Sequence, residues 1–227
     1  MIILPIGDIN PRKTVPYVNY TIIGLNIIIF FLFSFRSDYQ QLVLNYGLVP
    51  ARLEITDFIA SMFLHGSVWH LLGNMLYLWI CGDNVEDRLG HFGYIVLYVG
   101  AGIAAGLVHS MMVSAMASEI PCIGASGAIA GVLGAYVIIF PKSKIKFFYL
   151  FWLYIFIRMG VFHLVSMWAI GFWFVQQLFL TYLASAYQMP SSIAYWAHIG
   201  GFIIGAISIG LLRLSGIVRG GISRWEA

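Results

Sequence analysis

Ser126 and His198 are the residues of this chain whose type and surroundings could carry out chemistry. Each stands among small residues inside a long apolar stretch, Ser126 within Gly-Ala-Ser-Gly-Ala at 124–128 and His198 within Ala-His-Ile-Gly-Gly at 197–201. A serine hydroxyl becomes a nucleophile when a neighbouring histidine accepts its proton. Because small residues let membrane helices approach closely, we expect helix packing to bring this serine and histidine together.

The composition predicts an integral membrane protein with one membrane domain. The chain of 227 residues is 61% hydrophobic and 9% charged, with a mean hydropathy of +0.90, whereas a soluble domain carries about 25% charged residues. The net charge is only +3 and no long basic run occurs, which argues against a nucleic-acid partner. Cys81 and Cys122 form neither a disulfide framework nor a metal-ligand spacing, so we expect no metal and no cofactor.

Six apolar stretches are long enough to cross a bilayer, since a spanning helix needs about 20 apolar residues. We therefore predict an all-α bundle of six transmembrane helices. Two shorter apolar runs remain: 55–64 is compatible with a dip into the outer leaflet, and 147–157 with an interfacial segment or an extension of the fifth helix. The six predicted spans are 18–35, 68–85, 92–113, 123–140, 161–183 and 193–212.

The basic residues predict the orientation of this bundle, because cytoplasmic loops carry an excess of Lys and Arg. With six spans, all basic residues except Arg36 and Arg52 fall on the side that holds both termini, which we therefore assign to the cytoplasm. Residues 1–17 are then a cytoplasmic segment, 18–212 the core and 213–227 a cytoplasmic tail. The basic residues on that side are Arg12, Lys13, Arg88, Lys142, Lys144, Lys146, Arg158, Arg213, Arg219 and Arg224.

Four reactive side chains share one depth in the predicted bundle. His70 and Asn74 lie near the outer end of the second helix, Ser126 near that of the fourth and His198 near that of the sixth. At 1.5 Å of rise per residue, each lies within roughly 10 Å of the outer boundary. No acidic residue shares this depth, so we predict a catalytic dyad whose histidine is oriented by packing. Asn74, His70 and the backbone N–H of Ser126 are candidates for an oxyanion site.

Glycines mark the helix faces that we expect to meet. Gly127 and Gly131 form a GxxxG pair beside the serine, with Gly124 just before it, and Gly201 and Gly205 follow the histidine at helical spacing. Such small residues permit close approach of membrane helices. We predict that these five glycines pack the fourth helix against the sixth.

Two other classes of protein compete with a hydrolase. Polar residues at one depth could line the path of a transporter or channel, but the sequence has no inverted repeat and no intramembrane acid for proton coupling. A haem or metal protein is the second class. His65 and His70 stand five apart and no His-Glu-x-x-His run occurs, which disfavours a zinc protease.

Five segments of the sequence carry recognisable motifs: 9–12 (INPR), 65–75 (HGSVWHLLGNM), 82–90 (GDNVEDRLG), 124–127 (GASG) and 197–201 (AHIGG). Through these segments, and over nearly the whole chain, the sequence resembles the rhomboid family of intramembrane serine proteases, of prokaryotic type. The resemblance implies that Ser126 is the nucleophile, His198 the base, and His70 and Asn74 the oxyanion donors. It also implies substrates that are membrane-anchored proteins, cut in or near a transmembrane helix. We accordingly expect a multi-pass protein of a prokaryotic plasma membrane with its active site toward the outer face.

Two departures from the family pattern affect the surroundings of the site. Many members carry a Trp-Arg pair in the first loop, and none occurs between Phe35 and His65. Some have an aromatic residue four after the serine that packs on the histidine, where this chain has Ala130, so a side chain from helix five or six must hold His198. A non-catalytic, substrate-binding relative remains an alternative that an activity assay would exclude. The sequence leaves the substrate and the oligomeric state open.

Overall fold

Helices make up most of the computed structural model, which describes residues 1–154, 156–187 and 193–218. Short 3₁₀ turns and one π turn join some of the helices, and three strands complete the fold. In chain order the elements are β1 (Ile2–Asp8), α1 (Tyr17–Phe33), α2 (Tyr39–Tyr46), α3 (Ile55–Ala60), α4 (Val68–Tyr77), a π turn (Leu78–Gly82), α5 (Asp83–Met112), α6 (Ser126–Ile139), β2 (Lys144–Leu153), β3 (Phe156–Val165), α7 (Ser166–Ala186) and α8 (Tyr195–Leu214).

Apolar helices occupy the predicted spans. Among the described residues, three helical stretches are long and apolar enough to cross a membrane: Val68–Met112, Ser166–Ala186 and Tyr195–Leu214. Two more apolar helices, α1 with 17 residues and α6 with 14, are shorter than that length. The mostly helical membrane fold is confirmed, and the count of six crossings stays a prediction.

The stretch Val68–Met112 folds back on itself at Gly90, whose φ of 72° and ψ of 167° interrupt the helix. The hydrogen bonds of Asn19 show this change of direction, because its side chain contacts residues on both sides of Gly90. Its amide donates to the Leu78 carbonyl at 3.0 Å and accepts from the Tyr94 hydroxyl at 2.8 Å. In one straight helix, Leu78 and Tyr94 would be about 24 Å apart. A positive φ favours glycine, and the turn separates the predicted second and third spans.

The prediction of an all-α protein is wrong, because β1, β2 and β3 form an antiparallel sheet in that order. β2 and β3 are a long hairpin, paired from Lys144 with Val165 to Leu153 with Phe156, and β1 adds to β2. The described residues of the run 147–157 therefore lie in β2, in β3 and at Tyr154 just after β2, and α7 begins at Ser166 rather than at 161.

The composition of this region explains the error. Residues 144–165 are rich in aromatic and β-branched side chains, which favour strands, but a short apolar run does not by itself distinguish a strand from a helix. The pairing partner of β2 lies far away along the chain, in residues 1–17, for which we expected only a cytoplasmic segment. The pairing that decides the fold here is therefore not visible in the local pattern.

α6 forms the centre of the bundle and runs beside α8 in the same direction. A Cβ added to Gly201 would overlap the carbonyl oxygen of Gly127, and one added to Gly205 would overlap that of Gly131. The structure thus places these four glycines at the contact between the two helices.

The packing role expected of Gly124 is wrong, because this residue precedes α6 instead of lying in it. Its φ is 117°, in the region that favours glycine. A Cβ there would lie 2.6 Å from Nε2 of His70, so a larger residue at this position would press against that ring.

A polar network joins the N-terminal strand to the helices at the end of α6 away from Ser126. The carboxyl of Asp8 accepts hydrogen bonds from the Tyr136 hydroxyl at 2.6 Å and the Asn84 amide at 2.9 Å. Glu86 is fully buried and accepts from the backbone N–H groups of Val18 and Asn19 at 3.0 and 2.7 Å. Its carboxyl group therefore faces the N-terminus of α1 and accepts from backbone N–H groups that no helical carbonyl can pair.

Candidate active site

The helices that carry the four predicted residues all begin at the same end of the bundle. Ser126 is the first residue of α6, His198 the fourth of α8 and His70 the third of α4, with Asn74 one turn further along α4. Ser67 caps α4, accepting a hydrogen bond from the backbone N–H of His70 at 3.1 Å. The shared depth expected from the sequence is thus present as a shared end of three helices.

Ser126 and His198 are in direct contact. Oγ of Ser126 lies 2.8 Å from Nε2 of His198, within the range of about 2.6–3.2 Å required for proton transfer from a nucleophile to a base. The two residues are 72 apart in sequence, and the glycine contact between α6 and α8 brings their backbones close enough for this bond. The arrangement can deprotonate the serine as it attacks a carbonyl carbon.

The other ring nitrogen of His198 contacts a residue that the sequence analysis missed. Nδ1 lies 2.9 Å from Oε1 of Gln177 on α7, and this glutamine is only 6% exposed. Packing was expected to orient the histidine in place of a carboxylate, and the structure adds a hydrogen-bond contact with an uncharged amide to that packing. A glutamine within the apolar fifth span was the available signal.

Trp173, one turn before Gln177 on α7, packs on the same imidazole. The ring centroids of Trp173 and His198 are 5.9 Å apart with an interplanar angle of 35°. Trp173 also packs against Phe202 on α8, with their ring centroids 6.3 Å apart. The predicted support for His198 from helix five or six therefore comes from helix five, in place of an aromatic residue at Ala130.

His70 and Asn74 lie beside the backbone that leads into α6. A Cβ on Gly124 would be 2.6 Å from Nε2 of His70 and 3.6 Å from Nδ2 of Asn74. The N–H of Gly124 donates to the Ser61 carbonyl at 2.8 Å, which fixes this loop from the other side. Both polar side chains thus border the segment two residues before the serine.

His65 is the second functional candidate that the sequence analysis missed, because it was weighed there only as a possible metal ligand together with His70. It precedes α4, is fully buried, and its Nε2 lies 2.9 Å from Nδ2 of Asn74. Its ring also meets that of His70 edge-on, with centroids 5.0 Å apart. Burial, with a smaller contribution from His70, lowers the pKa of His65 to about 4, so the ring is neutral at pH 7 and can accept a hydrogen bond from the Asn74 amide.

A cavity of about 30 Å³ adjoins Ser126, which is enough for a water molecule. It opens between α3, the first residues of α6 and the middle of α5. Small and apolar side chains form most of its wall, and its lining includes Ser61, Met62, Gly102, Cys122, Gly124 and Ala197. In the part of the chain that the structure describes, no group of three or more His, Cys, Asp or Glu residues is arranged to hold a metal ion.

Comparison with known proteins identifies the family. The protein-family model of the Rhomboid domain matches residues 52–215, which contain every residue of the site just described. The chain therefore belongs to the rhomboid family.

Individual relatives are similar over a little more than half of the chain. Rhomboid protein 1, mitochondrial, of Saccharomyces cerevisiae is 33% identical over 135 residues, covering 57% of this chain and 38% of the relative. The presenilin-associated rhomboid-like protein, mitochondrial, of Homo sapiens is 28% identical over 130 residues, covering 57% and 34%. Rhomboid protease GluP of Bacillus subtilis is 30% identical over 138 residues, covering 58% and 26%.

The names of these relatives also give information about the membrane in which such proteins reside. The chain is an integral membrane protein, and it matches only about a quarter to two fifths of the length of these relatives. Two of the three are mitochondrial by name, so the comparisons do not support the expectation of a prokaryotic plasma membrane.

Proposed function

We propose that this chain is an intramembrane serine endopeptidase that cleaves membrane-anchored proteins in or near a transmembrane helix. Ser126 is the nucleophile and His198 the general base. The observation that carries the proposal is the 2.8 Å contact between Oγ of Ser126 and Nε2 of His198, within a Rhomboid domain. The similarity to a relative named a protease, GluP, supports the same reaction class.

The reaction follows from the positions of these two side chains. Oγ of Ser126 attacks the scissile carbonyl carbon while Nε2 of His198 takes the hydroxyl proton. The tetrahedral intermediate then collapses, and the histidine passes the proton to the leaving amine. A water molecule, for which the cavity beside Ser126 has room, then attacks the acyl-enzyme with the same histidine as base. The ester bond to Oγ of Ser126 breaks, the histidine returns the proton to that oxygen, and the new carboxyl terminus leaves.

The negative charge on the carbonyl oxygen needs hydrogen-bond donors fixed in advance. We assign this role to the amide of Asn74, to His70 and to the backbone N–H of Ser126. The missing side chain at Gly124 supports the assignment, because it leaves the space that separates His70 and Asn74 from the loop before the serine.

The substrate must present an unwound peptide bond, since a membrane helix hides its backbone in its own hydrogen bonds. Gly or Pro near the cut would ease this unwinding. A small residue just before the scissile bond suits the site, because the substrate backbone passes close to Gly124 and Gly127 and the adjoining cavity is small. The four site residues lie on the outer side in a six-span orientation with both termini in the cytoplasm, as the distribution of basic residues favours.

The test measures cleavage of a membrane-anchored substrate and labelling by a fluorophosphonate probe in detergent-solubilised protein. Ser126→Ala and His198→Ala should each abolish cleavage, and Ser126→Ala should also remove the labelled site. Ser114→Ala is the matched control, because this serine is exposed in the loop before α6 and its loss should leave both readouts unchanged.

Cleavage by the Ser126→Ala protein above trace level, with contaminating proteases excluded, would overturn the assignment of the nucleophile. The double variant Ser126→Ala/His198→Ala should be no less active than either single variant, because residues that act as a unit are strongly non-additive.

A further inference from the structure

We propose that Gln177 is a positioning residue for His198, so that the site is a Ser126–His198–Gln177 triad with an amide in the third position. The amide oxygen of Gln177 holds the imidazole in the tautomer that carries its proton on Nδ1. This inference rests on the function proposed above, and it concerns how the base is prepared for the reaction.

The orientation of the Gln177 amide follows from its second contact. Its Nε2 lies 3.4 Å from the backbone carbonyl of Trp173, a group that can only accept a hydrogen bond. The NH₂ end therefore faces Trp173, and Oε1 is the atom 2.9 Å from Nδ1 of His198. Reversing the amide would set two acceptors, the amide oxygen and the Trp173 carbonyl, against each other.

This orientation determines the tautomer of the histidine. Because Oε1 of Gln177 can only accept, Nδ1 of His198 must carry the proton and donate it. Nε2 is then the bare nitrogen, and it faces Oγ of Ser126 at 2.8 Å. With the proton on Nε2 instead, the imidazole could not accept the serine proton.

The same bond persists through the reaction. When Nε2 takes the serine proton, Nδ1 keeps its own, and the resulting imidazolium donates to Oε1 of Gln177 more strongly than the neutral ring. The acidic residue of a hydrolase triad serves these two purposes, orienting the imidazole and stabilising its charged form. An uncharged amide does so without placing a second ionised group in an apolar setting, where burial of a charge is expensive.

α7 holds Gln177 firmly enough for this role. The residue is almost fully buried, and Trp173, four residues earlier and so on the same helical face, packs on the His198 ring. The hydroxyl of Thr181, one turn later, donates to the Gln177 backbone carbonyl at 2.7 Å. Nδ1 of His198 thus meets a side chain whose own position is set by its helix.

The experiment compares Gln177→Leu with Gln177→Glu in the full chain, using cleavage kinetics across a pH series. Gln177→Leu should lower kcat about ten- to a hundredfold with little change in KM, the loss expected when a hydrogen bond to a group that becomes charged is removed. Fluorophosphonate labelling of Ser126 should slow in parallel. Gln176→Leu is the matched control, since Gln176 is exposed on the same helix, and its kinetics should match the wild type.

Gln177→Glu keeps the accepting oxygen and adds a negative charge. It should retain activity and move the acidic limb of the kcat/KM profile to higher pH, because the carboxylate favours the charged imidazole. The other titratable groups whose charge acts on His198 are His70 and His109, and they are unchanged in all these variants. If Gln177→Leu does not fold, the displacement of the acidic limb in Gln177→Glu decides the question alone.

Wild-type kcat in folded Gln177→Leu, or a wild-type pH profile in Gln177→Glu, would overturn the triad. Either result would contradict only the role of Gln177, because an inactive Ser126→Ala protein would still support the proposed function. Retained cleavage by Ser126→Ala would contradict the proposed function itself, so the two outcomes are distinguishable.

Discussion

At the scale of single residues, the amide of Asn74 is held from outside its own helix. Its Nδ2 donates toward Nε2 of His65 at 2.9 Å, and His65 is fully buried just before α4. A buried ring that stays neutral can fix one N–H of the amide and leave the other free to meet a substrate oxygen. We therefore expect His65 to act on the reaction through Asn74.

Asn74→Ala should lower kcat by a factor of up to about 10²–10³, the loss typical of one oxyanion donor. His65→Ala should cause a smaller loss, because the amide remains but is less well oriented. The double variant should be no worse than Asn74→Ala, since the histidine acts through that residue. Cleavage kinetics on folded protein measure all three, and multiplied losses in the double variant would show that His65 acts independently.

At the scale of elements, the contact between α6 and α8 is what allows the serine to reach the histidine. Gly127 faces Gly201 and Gly131 faces Gly205, with each carbonyl of α6 occupying the space of a missing Cβ on α8. Backbones this close leave no room for any side chain at the contact. The reactive pair stands at the end of this contact, so its spacing depends on the glycines.

Gly201→Ala should therefore separate the helices, lower the thermal unfolding temperature in detergent and abolish most cleavage. The same change at Gly210 is the matched control, because that residue lies on the same helix and a Cβ there would meet nothing within 4 Å. In a helix, Ala is ordinarily more stable than Gly by about 0.5–1 kcal/mol, so Gly210→Ala should be neutral or slightly stabilising. Full activity and stability in Gly201→Ala would show that the helices can rearrange without loss.

At the scale of the whole molecule, β1 ties the N-terminal segment to the core at the end opposite the reactive pair. Asp8, at the end of this strand, bonds to Tyr136 on α6 and Asn84 on α5. Burial, opposed by the hydrogen bond from Tyr136 and reinforced by the nearby Asp83, raises the pKa of Asp8 from 3.8 to about 6. The folded protein therefore keeps a proton here that the unfolded chain releases at lower pH.

The sign of the resulting pH dependence follows from proton linkage. Between about pH 4 and 6 the folded state binds more protons at Asp8 than the unfolded state, so this residue's contribution to stability falls as pH rises. Asp8→Asn removes the titration, and its unfolding temperature relative to wild type should be higher at pH 7.5 than at pH 4. Asp38→Asn is the control for this comparison. Its exposed carboxyl pairs with Arg36, which lowers its pKa, so this variant should show no such rise relative to wild type at pH 7.5. A difference between Asp8→Asn and wild type that is the same at both pH values would contradict the assigned burial.

Length and spacing of apolar residues determined the class of this protein from its sequence alone. Stretches of about 20 apolar residues indicate membrane helices wherever they occur, and GxxxG spacing around Ser126 and after His198 indicates close packing without knowledge of the partner. These patterns are local. They were therefore sufficient to select the serine and the histidine that the structure brings together.

Partners that lie far apart in the chain were decided only by the tertiary structure. Gln177 is one of several polar residues in the apolar stretches, and only the packing of α7 on α8 shows that it meets His198. The run that contains most of β2 was likewise expected to be an interfacial segment or an extension of the fifth helix, because the pairing of β2 with β1 joins segments more than 130 residues apart. A hydrogen bond or a strand pair depends on two positions at once, and a local sequence pattern does not show which distant position will be the partner.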